Sequence, residues 1–178
     1  MPLALALAGC GDSDGDSKPS AAPPNASVTS GVAKASADPQ EAEKKDVLAS
    51  YRSMWAEQMK AYAKADAKGT DLKRYATLNA LSKFELDLAR MKAAGTVATG
   101  QLGHAPEVTA LETGGKLPRA TVQDCIDLSK WKAVRTKTGE PIPLPTNQPR
   151  RYVATATAEK WPGGWRVTDY TPDGARTC

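Results

Sequence analysis

Residues 151–171 read RYVATATAEK-WPGG-WRVTDYT, and this stretch decides the fold class. Two runs rich in β-branched and aromatic residues flank Trp161-Pro162-Gly163-Gly164. The proline and glycines supply the backbone angles of a tight turn, so 151–160 and 165–171 are predicted to pair as an antiparallel hairpin. In the first run Tyr152, Ala154, Ala156 and Ala158 alternate with Arg151, Val153, Thr155 and Thr157. Side chains of a strand point alternately to its two faces. The alanines therefore share one face, and their small size lets a helix pack close.

Upstream, 96–102, 107–111, 119–128 and 131–137 carry β-branched and aromatic residues between Gly, Pro and Asn clusters, and they read as further short strands. The proline-rich piece 140–149 is expected to be a loop, because each proline lacks a donor for the ladder. Before residue 96 the period changes. Asp38-Pro39-Gln40-Glu41 has an acidic N-cap, a proline in the first turn and an acid three residues on, the grammar of a helix start. Leu48, Tyr51, Trp55, Met59 and Tyr62 then recur at helical spacing, and that stripe is expected to face the core. Gly69-Thr70-Asp71 ends this helix and caps a second helical region, in which Leu72, Tyr75, Leu78, Leu81, Phe84, Leu88 and Met91 keep the period. A kink is expected near 77–79, and Gly95 is placed as a C-terminal cap. Two or three helices followed by five or six antiparallel strands point to an α+β fold, with the helices packed on one face of a curved antiparallel sheet.

The N-terminal residues speak to location. Met1 to Ala8 are almost all apolar, and Leu7-Ala8-Gly9-Cys10 resembles the lipobox of bacterial lipoproteins, whose cysteine receives the lipid. No Lys or Arg precedes the apolar run, so residues 1–10 are read as a truncated lipoprotein signal ending at a lipidated Cys10. Residues 11–37 hold almost no large apolar side chain and are expected to be a disordered tether, which leaves 38–178 as the folded domain. Within the tether, Asp12-Ser13-Asp14-Gly15-Asp16 starts like a calcium loop, but Ser17 and Pro23 stand where that loop needs Gly and Glu. Asn25-Ala26-Ser27 matches a glycosylation sequon that carries little information in a bacterial chain.

The bulk numbers limit the function classes. A chain of 178 residues with 40% hydrophobic content has room for one domain. Its net charge of +4 comes from cations spread along the sequence, which speaks against nucleic acid as a partner. With Cys10 lipidated, Cys125 and Cys178 remain as an even pair; in an oxidising compartment they suggest a disulfide, and elsewhere two free thiols.

Chemistry-bearing motifs are scarce. The sequence has no phosphate-cradling glycine loop, no nucleophile elbow and no His/Cys grouping with metal spacing, so neither cofactor nor metal is expected. His104, the single histidine, sits in Leu102-Gly103-His104-Ala105-Pro106, a bend between strands, and is read foremost as a surface or structural residue. Asp124 and Asp127 must point to opposite faces of a regular strand, so they cannot form a carboxylate pair, although either can act alone. His104, Asp124 and Asp127 are the weak catalytic candidates.

Tyr51 and Trp55 in the first helix, Asp124-Cys125-Ile126-Asp127, Trp131, Trp165-Arg166-Val167-Thr168 and Cys178 together resemble secreted proteins and lipoproteins of the NTF2-like superfamily from actinobacteria. That resemblance implies a cystatin-like cone with a cavity at its wide end and a Cys125–Cys178 bridge. It implies no activity, because isomerases, dehydratases, binding modules and assembly proteins share the fold. The leading expectation is a lipid-anchored extracytoplasmic protein, non-enzymatic, that binds a small apolar ligand or an envelope protein. Tyr51, Trp55, Tyr62, Trp131 and Tyr170 are its candidate ligand contacts, each also readable as plain core. The alternatives are an enzyme resembling ketosteroid isomerase or the dehydratases, and a structural component of a secretion or conjugation apparatus.

Overall fold

The computed structural model describes residues 38–178. The signal at 1–10 with Cys10, the tether at 11–37, the calcium-like run and the sequon lie outside the described residues.

Helix α1, Pro39–Tyr62, starts where Asp38 accepts a hydrogen bond from the Gln40 amide at 2.9 Å. Its buried face is Val47, Ser50, Tyr51, Met54, Trp55, Gln58 and Ala61, rotated from the apolar stripe so that Leu48, Met59 and Tyr62 are only partly buried. On this face the Ser50 hydroxyl is satisfied, donating to the Trp165 carbonyl at 2.6 Å. The helix ends at Tyr62, earlier than the Gly69 signal suggests, and the chain turns through Ala65, whose φ is 51°.

The second helical region is divided, and the expected kink is a full break. Helix α2 is the single turn Leu72–Tyr75; Ala76 and Thr77 are extended, and Thr77 N–H donates to the Val167 carbonyl at 2.9 Å. The chain thus touches the sheet edge before helix α3, Leu78–Ala94, begins. Gly95 caps α3 at φ 62°, as its position suggests.

Seven strands follow: β1 Thr96–Gly100, β2 Glu107–Glu112, β3 Arg119–Asp127, β4 Trp131–Arg135, β5 Pro141–Ile142, β6 Arg151–Trp161 and β7 Gly164–Asp173. All named pairs are antiparallel. The expectation of one continuous sheet is corrected: the ladders form a four-stranded sheet, β2-β3-β6-β7, and a three-stranded sheet, β1-β4-β5. The division falls where β3 ends at Asp127 and the chain turns through Ser129 and Lys130 into β4, which pairs with β1. The reading of 140–149 as pure loop is corrected too. Pro141 and Ile142 form a two-residue edge strand, a position where the missing proline donor leaves no ladder bond unmade.

The hairpin of β6 and β7 closes with Trp161 opposite Gly164. Facing the helices, Ala120, Val122, Asp124 and Ile126 of β3 stand opposite Ala158, Ala156, Ala154 and Tyr152 of β6. The four alanines join Tyr51, Met54, Trp55 and Phe84 in one core cluster. In β7 the register with β6 shifts after Thr157, which stands opposite Asp169, to Ala158, which stands opposite Val167. This bulge at Thr168 resets the alternation, so odd-numbered Trp165 and Val167 and even-numbered Tyr170 are all buried.

Cys125 lies on the outer face of β3, between inward-facing Asp124 and Ile126, and is bonded to Cys178 across a Cα separation of 5.9 Å. The returning C-terminal segment is also held by the Val153 amide, which donates to the Arg176 carbonyl at 2.8 Å. No helix among the described residues is long and apolar enough to cross a membrane.

Candidate functional site: an aromatic cavity beside a buried carboxylate

A cavity of about 520 Å³ opens between α3, the end of β7 and the loops that follow β3 and β5. Such a volume lies in the range of small-molecule sites. Trp55 and Tyr62 of α1, Phe84 of α3, Trp131 of β4, Tyr152 of β6 and Tyr170 of β7 give it an aromatic wall, and Leu102, Leu128 and Leu144 complete the apolar surface. Four of the five aromatic candidates, Trp55, Tyr62, Trp131 and Tyr170, therefore lie on this wall. Tyr51 does not.

Packing fixes these rings. Trp55 meets Phe84 and Tyr170 with centroids 5.7 and 5.2 Å apart, both near edge-to-face, the favoured geometry for aromatic quadrupoles. Burial pushes the hydroxyls of Tyr62 and Tyr170 well above the ordinary tyrosine value, so both stay protonated. At the α3 rim, Lys83 donates to Asp169 and to the Tyr170 carbonyl at 2.8 Å each, and Arg90 lies 3.6 Å from Asp87. Burial raises the Asp87 carboxyl above its ordinary value, against the lowering by Arg90.

Behind Trp55 lies a second cluster. Asp124, completely buried, accepts the Tyr51 hydroxyl at 2.9 Å and the Ala105 amide at 2.7 Å, and its Oδ2 lies 2.7 Å from His104 Nδ1. Burial, then the charge of Asp124, pushes the Tyr51 hydroxyl far above its ordinary value, so the phenol acts only as a hydrogen-bond partner. The His104 ring leans on Trp55 at a centroid distance of 5.0 Å, and 19% of its side chain remains exposed. Trp55 thus touches His104 on one side and the cavity residues on the other.

The β1–β2 connection carries His104 to this place by close backbone approach. Gly103 exchanges both backbone hydrogen bonds with Asp127, and a Cβ on Gly100, at φ +83°, would stand 2.0 Å from the Lys130 carbonyl oxygen. Asp127 points outward as the alternation requires: its carboxylate accepts the Ser129 amide at 2.7 Å and lies 4.0 Å from Arg151. Those partners, Ser129 first, hold it below the ordinary carboxylate value. It has the surroundings of a turn cap. None of His104, Asp124 and Asp127 lines the aromatic cavity.

Sequence reasoning did not bring Tyr51, His104 and Asp124 together. One signal was available: on β3 the inward row Ala120, Val122, Asp124, Ile126 places a carboxylate among apolar residues, which demands nearby donors. Among the described residues no group of three or more His, Cys, Asp or Glu side chains is arranged to hold a metal ion.

The sequence matches no protein-family model and no curated protein. The fold is similar to those of solved structures. A periplasmic fragment of TraM matches with a TM-score of 0.50 and 12% identity, over 75% of this chain and 97% of that one. The intermembrane space region of the chloroplast protein ARC6 matches at 0.46 and 15%, over 77% and 97%, and the protein Kfla4162 from Kribbella flavida at 0.41 and 17%, over 78% and 95%. The likeness to the TraM fragment bears on the fold alone.

Proposed function

We propose that the folded domain is a non-enzymatic binding module that takes a small apolar ligand into the aromatic cavity, and that it works outside the cytoplasm on a lipid anchor at Cys10. The observation that carries the reading is the cavity itself: about 520 Å³ walled by six aromatic residues, with none of the three catalytic candidates on its surface. Apolar ligands bind such walls through buried area, and a few polar groups at the rim set orientation. We read the fold as an NTF2-like cone. The helix-then-strand order and the bulged β7 support that reading. The Cys125–Cys178 bridge supports an oxidising compartment.

Intrinsic fluorescence tests the binding. Trp55 and Trp131 both line the cavity, so titration with a fluorescence-silent apolar compound is expected to shift their emission saturably, and Trp131→Phe to remove part of the shift. An emission unchanged across a panel of apolar compounds would refute the reading. For the anchor, radiolabelled palmitate is expected to enter the protein in cells and to be lost in Cys10→Ser.

One observation favours an isomerase or dehydratase as the second reading: a carboxylate on Nδ1 is how a histidine base is oriented. Under that reading, His104→Ala abolishes proton exchange at an enolisable carbonyl compound. Under the leading one, the protein catalyses no such exchange. If the domain is instead a component of a larger apparatus, sedimentation shows self-association.

A further inference from the structure

We infer that the ligand is a single-chain amphiphile with an anionic head, its chain in the aromatic cavity and its carboxylate or phosphate held by Lys132 and Arg150. This deepens the proposed function and rests on it. A second pocket, of about 420 Å³, lies against the first and shares five lining residues with it: Leu128, Trp131, Leu144, Pro145 and Gln148. These five residues border both spaces, so a chain lying in the first cavity whose head reaches over the Trp131 and Leu144 side chains enters the second.

Their chemistry differs. The first is walled by aromatic and aliphatic side chains, whereas the second carries Ser129, Thr146, Gln148, Lys132 and Arg150, with no Asp or Glu in its lining. Among the described residues, neither Lys132 nor Arg150 has a carboxylate within 4.0 Å. The cations at the other rim are already matched, Lys83 by Asp169 and Arg90 by Asp87. An anionic head entering at the α3 rim would have to displace those carboxylates. At the β4 end it meets an ammonium and a guanidinium with open donors, and the guanidinium can bind a carboxylate or phosphate through two parallel hydrogen bonds.

The test uses the purified full chain and four probes of equal chain length: dodecanoate, dodecyl phosphate, dodecanol and dodecyltrimethylammonium, followed by tryptophan emission and by native mass spectrometry. The two anions are expected to bind about tenfold or more tightly than the alcohol, and the cation more weakly still. Lys132→Ala/Arg150→Ala, both on exposed positions, is expected to remove the anion advantage and leave dodecanol binding as it was. Lys132→Glu/Arg150→Glu is expected to turn the preference toward the cationic probe. Equal affinity for all four probes, or an anion advantage that survives both double variants, overturns the head assignment while the cavity reading stands. If no probe binds, the cavity reading falls and this inference falls with it. A preference for one anion over the other tells a phosphate from a carboxylate ligand within the proposal.

Discussion

The Tyr51 hydroxyl donates to Asp124 Oδ2 across 2.9 Å, and it ties α1 to β3 where neither residue reaches water. Because Asp124 also takes the Ala105 amide and sits against His104 Nδ1, three elements share one carboxylate. Asp124→Ala leaves all three groups without their acceptor and, at roughly 1–3 kcal/mol for each orphaned group, is expected to cost about 3 kcal/mol or more. Tyr51→Phe removes a single bond to that carboxylate and is expected to cost about 1–2 kcal/mol. Urea denaturation measures both, and equal losses would show that Asp124 is not the hub.

Two carboxylates should shape the acid limb of stability in opposite directions. Glu43 binds the Lys160 ammonium and accepts Trp165 Nε1–H at 2.9 Å, and these bonds, Lys160 first, hold its pKa below the ordinary 4.5. Its folded value lies below the unfolded one, so its contribution is present above 4.5 and is lost as pH falls through the lowered folded value. Asp87 is raised above its ordinary 3.8 by burial. Its protonated form therefore favours folding, and that contribution fades as pH climbs through the raised value. Thermal melts between ~pH 3 and ~pH 7 are expected to show a flatter acid limb for Glu43→Gln and a steeper one for Asp87→Asn, each against wild type.

The bridge between Cys125 and Cys178 closes a loop with a sequence separation of 53. Restricting the unfolded chain over that span is worth about 4 kcal/mol. Cys125→Ser/Cys178→Ser is expected to lose most of that and to accelerate hydrogen exchange at the Val153 amide, whose acceptor is the Arg176 carbonyl. Unchanged exchange at Val153 would mean that the returning segment holds without its covalent tie.

Gly100→Ala is expected to cost about 2 kcal/mol, since it forces a left-handed angle on a residue with a Cβ and drives that atom against Lys130. Gly114→Ala is the control: its Cβ meets nothing within 4 Å, and its cost should stay under about 0.5 kcal/mol. Similar losses for the two would locate the effect outside the β1–β4 approach.

Local grammar was readable where one residue decides one conformation. Asp38 caps α1, Gly95 ends α3, and Pro162-Gly163-Gly164 turns the last hairpin, because each depends only on its neighbours in the chain. Features set by distant partners were not readable. The buried face of α1 includes Ser50, whose hydroxyl finds its acceptor on β7, 115 positions away in the chain. The helical period through 72–91 broke at Ala76 and Thr77 because Val167 offered a backbone bond that the spacing of leucines does not encode. The bulge at Thr168 shifted the face count within a strand, so strict alternation from Trp165 would have sent Tyr170 outward. His104 and Asp124, twenty positions apart, meet only because Gly100 and Gly103 let one turn press against another.

Trp55 stands between the cavity and His104, and the chain has a single histidine. Whatever fills the aromatic space must press on the same indole whose ring current bathes that imidazole. The two carbon-bound protons of that single ring therefore serve as a built-in occupancy gauge that needs no isotope label, able to follow filling and emptying in a preparation where the bound molecule itself is still unidentified.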